Sequence, residues 1–555
     1  MGTNIKDAIP TNQQVLPAPA DAQSVLTWQG PFEEIAFDEE SVYQALLNLE
    51  ETLFVLRVQG QVGVVKAGEI SLQQPGARQA FDVLAVLPPL PASRLGDSGF
   101  NRVYGTRYTY YGGAMASAIA SVEMVIAMGK GGFLGSFGAA GLPPARLEAA
   151  IQQIQEGLPG GPYAFNLIHS PHEEALERRA VELYLRYGVP VVEASAFLDL
   201  TPHIVHYRAA GLGIDSSGKI QIKNRVIAKL SRREVASKFM QPAPAALLDQ
   251  LLRDGKISEL QANLAQRVPV ADDVTVEADS GGHTDNRPLV CLMPAMIALR
   301  DEIQAKYGYE YPVRVGAAGG ISTPASALAA YAMGAAYIAT GTVNQACLES
   351  GASEHTKGLL ARASMADVMM APSADMFEMG VKVQVLKTGT MFPMRATRLY
   401  ELYTKYDSIE SIPTEEREKL EKQVFRRDLD EVWAETVKFF NERDPEQIIR
   451  ANQNPKRKMA LIFRWYLGLS SRWSATGEKG RELDYQIWCG PSIGAFNDWT
   501  RGTYLAEPRN RRVVDVALQI MAGAAYLSRI HSLRSVGIQV PSRLASYVPR
   551  SPVID

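Results

Sequence analysis

The chain has few of the features that mark several common classes of protein. It contains only three cysteines, Cys291, Cys347 and Cys489, and their wide spacing argues against both a disulfide framework and a zinc site. No run approaches the length of about 18 consecutive apolar residues that a membrane span needs, and the first residues carry no secretory apolar segment. We therefore expect a cytoplasmic protein without a membrane anchor.

A large charge of either sign is also missing. The chain has 57 lysines and arginines against 60 aspartates and glutamates, so it offers no overall basic field for nucleic acid. Its seven histidines form no H-E-x-x-H motif, and no metal site is predicted. What is present is a chain of 555 residues, long enough to bury a large core. Residues 1–25, rich in Ala, Pro, Gln and Asn, are typical of a flexible leader.

From residue 106 onward, short apolar runs punctuated by glycine alternate with helical stretches, which is the rhythm of βα units. This pattern favours an α/β fold of the (β/α)₈ barrel type, because most runs end in small or polar residues suited to a ligand site at the barrel mouth. The rival is an open doubly wound sheet, but no complete G-x-G-x-x-G follows any strand. The eight predicted strands are Arg107–Tyr111, Gly132–Phe137, Tyr163–Ile168, Pro190–Ala194, Val226–Lys229, Val274–Glu277, Pro312–Gly316 and Ala336–Thr340.

The sequence around these units predicts four regions. Residues 1–100 hold the leader and a small α+β cap, with a helix over Glu40–Leu53 and strand-like residues 56–65. Residues 101–395 hold the barrel, with a helical insertion at about 232–267. Residues 396–510 are expected to form a helical accessory or substrate domain. Residues 511–555 are expected to include a final helix, Val513–Ser535, that docks on the barrel.

One stretch, Glu277-Ala-Asp-Ser-Gly-Gly-His-Thr-Asp-Asn-Arg-Pro288, places a histidine behind two glycines at the end of a predicted strand. Glycine lets the backbone approach a ligand closely, and a histidine that titrates near neutral pH suits proton transfer. His283 is therefore the candidate catalytic residue. The alternative is a histidine that is held by hydrogen bonds in the mouth and has no chemical role.

A second pattern predicts a phosphate site. Val313-Arg-Val-Gly-Ala-Ala-Gly-Gly-Ile321 and Ala335-Ala-Tyr-Ile-Ala-Thr-Gly-Thr342 place glycines after the last two predicted strands. Backbone N–H groups at strand ends and helix N-termini attract phosphate, and the loops after barrel strands seven and eight are its usual place. Unless they are simple turn residues, the candidate phosphate ligands are Gly319, Gly320, Gly341 and Thr342.

With its strands, glycines and histidine in this order, the chain resembles the flavin-dependent barrel family of nitronate monooxygenases and bacterial enoyl-acyl-carrier-protein reductases. More closely, it resembles the PfaD-type enoyl reductases that act in trans on polyketide and polyunsaturated-fatty-acid synthases. The likeness covers about residues 27–534. Its most specific marks are residues 277–288, 376–387, 458–473 and 484–491, of which the last two are absent from generic nitronate monooxygenases.

The resemblance implies a flavin cofactor. A single phosphate cradle without an adenine-binding unit indicates FMN, and the resemblance implies NADPH as the reductant. Asn166 and Lys229 match positions at which the family hydrogen-bonds the flavin ring, where a cation stabilises the anionic reduced form. Each of the two residues has a structural role as its alternative. The other candidate cofactor residues are Gly113, Ala114 and Met115, which match the loop that packs against the isoalloxazine, and Gly282.

The function that the resemblance implies is trans-acting reduction of the α,β-double bond of 2-enoyl thioesters. The partner would be an acyl carrier protein of a polyketide or polyunsaturated fatty acid synthase, and His283 would supply a proton at the α-carbon. A nitronate monooxygenase-like oxidase is one alternative, because the matching histidine acts as a base in those enzymes. A non-catalytic flavin-binding subunit of a synthase is another. The likeness also implies a homodimer.

Two further features each have two interpretations. Lys456-Arg-Lys458, with Arg464 and Arg472, would suit an acidic acyl carrier protein or a solvated helix face. A group of methionines would suit a groove for varied acyl chains, but such residues more often belong to a core, which is the interpretation favoured here. These methionines are Met365, Met369, Met370, Met376, Met379 and Met391.

Overall fold

The computed structural model describes residues 25–73, 80–169 and 174–553. The predicted leader lies outside the described residues, apart from Val25 at the start of the first strand. The chain divides into two units. The smaller unit comprises residues 1–90 and 528–546, and the larger comprises residues 91–527 and 547–555.

The smaller unit is built on an antiparallel five-stranded sheet. Its helix, Glu39–Leu47, begins where the Asp38 carboxylate accepts a hydrogen bond from the Ser41 backbone, and it ends earlier than predicted. The predicted strand-like stretch 56–65 is part of a hairpin, whose central residues Gln59 and Gly60 both have positive φ, the geometry of a tight two-residue turn. In sheet order the strands are Gln61–Val65, Leu53–Val58, Phe81–Leu87, Val25–Gln29 and Glu69–Gln73.

A single buried arginine holds the loops of this unit. The Arg529 side chain is only 2% exposed, and burial lowers its pKa, yet it donates to backbone carbonyls instead of a carboxylate. Backbone carbonyls at loop ends need donors when they are buried, and a guanidinium supplies several in one plane. The acceptors are the carbonyl oxygens of Leu46, Asn48, Leu49, Glu51 and Pro88.

The larger unit contains the predicted barrel, closed by eight parallel strands in chain order. The first strand begins three residues later than predicted, because Arg107 and Tyr108 both donate to the Gly132 carbonyl outside the ladder. The seventh begins at Arg314, since Pro312 has no N–H to donate. The strands are Tyr110–Gly112, Leu134–Phe137, Tyr163–Ile168, Val191–Ser195, Arg225–Leu230, Asp273–Glu277, Arg314–Ala318 and Ile338–Thr340.

Helices surround the barrel strands, as the βα rhythm predicts. The long connection after the fifth strand is the predicted helical insertion, and the fourth and fifth strands are joined through a short hairpin, Leu212–Ile214 with Ile220–Ile222. The helices of this part, including the three of the insertion, are Val122–Lys130, Pro144–Gly157, Glu174–Arg186, Pro202–Ala210, Arg233–Met240, Ala245–Arg253, Glu259–Ala265, Leu289–Tyr307, Pro324–Ala332 and Thr342–Gln345.

The helix Ser98–Tyr104 packs at the amino-terminal end of the barrel strands. Phe100 and Tyr104 are buried among inward-facing strand residues. Arg314 and Asp273, the first residues of their strands, form a buried two-bond ion pair of 2.6 and 2.7 Å, and the Tyr104 hydroxyl donates to the same carboxylate. This end of the barrel is therefore filled and leaves the opposite end for a ligand.

After the barrel, the chain forms a small sheet and then a helical region. Strands Val368–Pro372 and Lys382–Leu386 are antiparallel to each other, and the second also pairs with Gly282–His283. The helical region has its own apolar core, which includes Phe392, Phe425 and Phe463. Its helices are Phe392–Lys405, Thr414–Leu420, Leu429–Arg443, Glu446–Gln453, Pro455–Thr476 and Ser492–Thr500.

The final helix, Val513–Ser535, has the bounds that the sequence predicts. Within the larger unit, the Tyr331 hydroxyl donates to Met521 Sδ at 3.3 Å, and Gly523 packs closely against Pro324. By length and composition this helix could cross a membrane, but 72% of its apolar window is buried by the rest of the protein. That burial is typical of a core helix.

Candidate active site

The candidate residues lie at the carboxyl ends of the barrel strands. Asn166 and Lys229 lie near the ends of the third and fifth strands, while the glycine loops follow the first, seventh and eighth. Because the strands are parallel and the barrel is closed, these ends meet in one ring, which is where ligands of such barrels bind.

The loop after the first strand is fixed from two sides. Gly113 donates its backbone N–H to the Thr340 carbonyl at 2.9 Å, and Ala114 donates to Glu193 Oε2 at 2.8 Å. Met115 is half-buried, and its carbonyl is so close to Gly138 that a Cβ there would lie 1.7 Å from the oxygen. The loop therefore presents a rigid backbone to the mouth.

A line of charges crosses the mouth. Lys229 Nζ lies 3.2 Å from Glu277 Oε1 and 3.7 Å from Glu193 Oε1. Burial alone would lower the pKa of Lys229, but the two carboxylates outweigh it and raise the pKa above the ordinary value of 10.5. Glu193 is fully buried, and its Oε1 has no hydrogen-bond partner within the described residues. The mouth therefore keeps a permanent cation and an incompletely satisfied carboxylate.

Asn166 is 6% exposed and is held by the neighbouring strand. Its amide donates to the Glu193 carbonyl at 3.1 Å and to the Ser195 hydroxyl at 3.0 Å. These bonds fix the side chain at the mouth beside Glu193, and they are also what a purely structural asparagine would make.

The loops after the seventh and eighth strands fit a phosphate. A Cβ at Gly320 or Gly341 would have no heavy atom of the described residues within 4 Å, so open space lies beside the backbone there. Gly319 instead packs tightly, because a Cβ there would lie 2.7 Å from the Ala278 backbone. The buried Ser322 hydroxyl has no partner among the described residues. Open space and an unpaired donor are what a phosphate needs.

Thr342 begins a short helix after Gly341. Its hydroxyl accepts a hydrogen bond from the Gly490 backbone at 3.2 Å. The segment 484–491, which sequence analysis singled out, therefore reaches the phosphate loops, and Thr342 has a partner of its own in the protein.

His283 is presented by the small sheet described above. Its strand pairs with Gln384 and Val383, and the first of the two preceding glycines, Gly281, packs so closely on Cys489 that a Cβ would lie 2.7 Å from its backbone. Gly282 adopts a φ of +80°, which side-chain-bearing residues rarely do, and a Cβ there would lie 4.0 Å from the Trp488 ring. The glycines thus turn the chain so that the histidine side chain reaches the mouth, where it is 33% exposed.

Asp375 is the partner of this histidine. His283 Nε2 and Asp375 Oδ1 are 3.1 Å apart. Burial lowers the pKa of His283, as does the Lys229 charge, but the hydrogen bond to Asp375 and the charges of Asp375 and Glu277 outweigh both effects. The pKa therefore lies above the ordinary value of 6.5, and the protonated form is favoured.

The rest of the loop is held by a polar network. Gln384 donates to Asp279 Oδ1 at 2.7 Å and to the Ser280 carbonyl, and Asn286 donates to both Asp279 and Gln384. Arg232 makes two bonds to Asp285 at 3.1 and 3.2 Å. Asp279, Asp285 and Asn286 therefore hold the loop that carries His283.

The core interpretation of the methionine-rich stretch is wrong. None of its six methionines is buried: Met365, Met379 and Met391 are exposed, and the other three are only partly buried. The stretch forms short strands and turns beside the His283 strand instead of a packed helix, so Ala371 and Phe377 enter the core in their place.

The basic cluster at residues 456–458 is paired within the helical region. Lys456 donates to the Tyr406 carbonyl, Arg457 donates to Gln447 at 2.7 Å, and Lys458 lies 3.6 Å from a carboxylate oxygen of Glu410. Its charges are therefore largely used inside the protein. Arg464 and Arg472 lie further along the same helix.

Sequence reasoning missed two residues of the site. Glu193 carried a usable signal, because a glutamate inside the apolar run Val191-Val192-Glu193-Ala194 is rarely buried without a partner. Asp375 carried none, since it lies 92 residues from His283 in a stretch of methionines and small residues.

Comparison with known families agrees with this architecture. Residues 107–405 match the nitronate monooxygenase family model, and residues 28–89 match the model of the fatty acid synthase subunit PfaD N-terminal domain. Residues 406–485 match the inserted helical domain of acyl-carrier-protein S-malonyltransferase. The three matches follow the cap, the barrel and the helical region in order.

Curated relatives are larger proteins. One polyunsaturated fatty acid synthase subunit of a Thraustochytrium species is 53% identical over 457 residues, which is 81% of this chain and 30% of that protein. The polyketide biosynthesis protein PksE of Bacillus subtilis is 44% identical over 439 residues, which is 79% of this chain and 57% of that protein. The chain spans between 23% and 57% of the length of the curated relatives that it matches.

A solved structure covers the same region. The crystal structure of the enoyl reductase domain of MlnA, from the macrolactin biosynthesis cluster of Bacillus amyloliquefaciens, is 39% identical with a TM-score of 0.76. The match covers 80% of this chain and 100% of that one. Because the nitronate monooxygenase model also matches more than half of the sequence, the chain belongs to the nitronate monooxygenase family of flavin-dependent oxidoreductases, in its PfaD-type branch.

Proposed function

We propose that the protein is an FMN-dependent enoyl reductase that acts in trans on 2-enoyl thioesters carried by an acyl carrier protein, with NADPH as the reductant. The observation that carries the proposal is the His283–Asp375 pair at the mouth of a barrel whose last two loops fit one phosphate. Similarity to subunits of polyunsaturated fatty acid synthases and to polyketide biosynthesis proteins supports the carrier-bound substrate.

FMN, when bound, would supply the hydride for the β-carbon of the enoyl chain. Gly319, Gly320 and Gly341 would hold its phosphate, and the rigid backbone of residues 113–115 would support its ring. Lys229 would place a positive charge where the reduced cofactor gains negative charge, and Asn166 would hydrogen-bond the ring from the third strand. Gly282 would allow the backbone next to His283 to approach the cofactor.

His283 would give the proton to the α-carbon. Asp375 binds one ring nitrogen, which orients the imidazole and leaves the other nitrogen to donate. The hydrogen bond to Asp375 and the nearby carboxylate charges raise the pKa of His283 above its ordinary value despite burial, which favours the protonated form that a general acid requires. Each reduction would therefore consume one proton from His283, and the histidine would regain it from solvent at its exposed edge.

Two half-reactions test this function. The yellow protein is mixed anaerobically with NADPH, and the flavin absorbance should bleach; a crotonyl thioester is then added, and the absorbance should return. A flavin that is reduced by a nitronate and reoxidised by O₂, but that ignores the thioester, would refute the reductase and support an oxidase. A flavin that never bleaches would support a non-catalytic role in a synthase.

A further inference from the structure

A cavity of about 1090 Å³ lies within the larger unit, between the barrel mouth and the helix Pro455–Thr476. Asn166 and His169, from the end of the third barrel strand, and Asp375, the partner of His283, are among its lining residues. Pockets for drug-sized ligands hold about 300–1,000 Å³, so this cavity has room for a longer molecule. Such a molecule would reach the candidate catalytic site.

One face of the helix Pro455–Thr476 turns toward this cavity. Arg464, Gly468 and Arg472 all line it, and they are spaced four residues apart. Residues four apart lie on the same side of an α-helix. The three residues, which we call the arginine–glycine face, therefore place two guanidinium groups on either side of a position without a side chain.

None of the described residues requires a glycine at position 468. A Cβ at this position would meet no heavy atom of the described residues within 4 Å, and the residue is exposed. Glycine inside a helix costs roughly 0.5–1 kcal/mol relative to alanine. A ligand that must approach the helix backbone closely from the cavity would explain this glycine.

The guanidinium groups of the cavity are incompletely paired. Arg464 Nη1 lies 3.3 Å from Glu378 Oε1. Arg472 is exposed and has no acidic partner within the described part of the chain. Arg179, which lines the cavity from the helix Glu174–Arg186, is also exposed and has no acidic partner among the described residues.

Most carboxylates of the cavity are already bound. Glu435 pairs with Arg427 and accepts from Trp465 Nε1 at 3.1 Å. Glu177 is 3.0 Å from His169 Nδ1, and Asp375 binds His283. Of the acidic lining residues, Glu123 alone has no basic partner among the described residues. The unpaired charge of the cavity is therefore mainly positive and suits an anion.

We propose that the cavity binds the 4′-phosphopantetheine arm of a carrier protein, with the phosphate on the arginine–glycine face and Arg179, and the thioester toward His283. The proposal rests on the proposed function. Guanidinium groups bind phosphate oxygens through charge-assisted, often bidentate hydrogen bonds. The open backbone at Gly468 admits a thin chain, and the apolar lining, including Leu183, Trp465 and Leu469, suits its aliphatic part.

NADPH carries phosphate esters too, so the same chemistry has a second source. The cavity favours the acyl arm because its lining includes Asp375, which holds the proposed proton donor to the thioester. The test must therefore separate the two phosphates.

The first measurement uses no turnover. Binding of butyryl-4′-phosphopantetheine, which is saturated and cannot be reduced, is compared with that of butyryl-pantetheine by calorimetry on the flavin-loaded protein. The wild type should prefer the phosphorylated compound by about tenfold or more, the value of a charge-assisted hydrogen bond. Arg472→Ala and Gly468→Leu should lose this preference.

Two controls accompany these variants. Gly468→Ala adds a single methyl group, so it should weaken the preference less than Gly468→Leu does, and its unchanged thermal unfolding would show that the helix tolerates substitution. Arg253→Ala removes an exposed arginine that does not line the cavity, and it should also keep the preference. An unchanged preference in Arg472→Ala and Gly468→Leu would overturn the proposal.

The second measurement addresses the nucleotide. Bleaching of the flavin by NADPH and by NADH is compared in the same variants, and the ratio of their apparent affinities should not change. If the variants lose the preference for NADPH and keep that for phosphopantetheine, the face belongs to the nucleotide and the proposal is wrong. A wild type that binds the phosphorylated arm but does not reduce a crotonyl thioester would refute the reductase and support the cavity assignment.

Discussion

The two ends of the barrel hold their charges differently. At the amino-terminal end, Arg314 and Asp273 are joined by two bonds, and the Tyr104 hydroxyl completes the buried carboxylate. At the mouth, Lys229 lies between Glu277 and Glu193 at 3.2 and 3.7 Å and keeps 21% of its side chain exposed, while Glu193 Oε1 has no hydrogen bond within the described residues. At the closed end the carboxylate and the guanidinium are paired by hydrogen bonds within the protein. At the mouth a carboxylate oxygen is still free to bind a ligand.

The closed end should therefore contribute mainly to the stability of the fold, and the mouth mainly to ligand binding and chemistry. A buried ion pair that loses one partner leaves an uncompensated charge, so substitutions at the closed end should damage the fold. Substitutions at the mouth should spare the fold and damage ligand binding or single steps. The expected effects therefore range from a large loss of stability at the closed end to a shift in a pH profile at the mouth.

The largest effect is expected at the closed end. Arg314→Met removes the partner of buried Asp273 and should lower the free energy of unfolding by about 3–5 kcal/mol. Thermal unfolding followed by circular dichroism measures the loss. Arg398→Met, which breaks an exposed pair with Glu416, is the control and should cost at most about 1 kcal/mol. Equal stability of the two variants would contradict this account.

At the phosphate loops, the fold should survive while the cofactor is lost. Gly320→Leu fills the open space beside the loop and should yield a colourless, folded protein. Gly160→Leu is a matched control, because Gly160 also has a positive φ and open space but lies before the third barrel strand, away from the mouth. The flavin released on denaturation is identified by chromatography. Release of FAD, or full flavin in Gly320→Leu, would refute the assignment of one FMN.

Removal of the histidine should affect one half-reaction. His283→Ala should keep its flavin and still be bleached by NADPH, because hydride transfer to the cofactor does not use this side chain. Reoxidation by an enoyl thioester should slow by roughly 10²–10⁴-fold, the usual effect of losing a positioned general acid. Stopped-flow absorbance measures both steps. Unchanged reoxidation would mean that another acid protonates the α-carbon.

The smallest effect is expected from Asp375→Asn. The protonated form of His283 is the active acid, so thioester reduction should be present at low pH and be lost as pH rises through the histidine pKa. Asp375 raises that pKa, while burial and Lys229 lower it, so the variant should lose activity at a lower pH than the wild type. The pH profile of reoxidation is the readout. A profile that does not move would show that Asp375 does not tune His283.

Much of the barrel was predictable because its signals are local. Each strand is a short apolar run that ends in small or polar residues, and the eight predicted runs correspond to the eight strands with shifts of a few residues. The shifts occur where a backbone group is used elsewhere, as at Arg107, or is missing, as at Pro312. The hairpin at residues 53–65 was harder to predict because its two-residue turn, Gln59 and Gly60, lies within an unbroken strand-like pattern.

The methionine-rich stretch shows the opposite case. A methionine-rich stretch has the same sequence whether it packs in a core or lines a groove, and only its position in the fold distinguishes the two. Here the residues around it pair with the His283 strand, which places Met370 opposite Gln384 and leaves the methionines at least partly exposed. Nothing within the stretch itself specified that pairing.

The sequence by itself determined the barrel and the last helix, and it marked the glycine loops and His283 as candidates, because periodicity and backbone freedom are properties of neighbouring residues. The tertiary structure alone decided that Asp375 would hold His283, that Glu193 would reach Ala114 across the mouth, and that Arg464, Gly468 and Arg472 would face a cavity. The residues of the first two pairs lie dozens of positions apart in the sequence. The helix that carries the two arginines and Gly468 faces a cavity that other elements also line. The meeting of these residues depends on how whole helices and strands pack, and no local pattern records that.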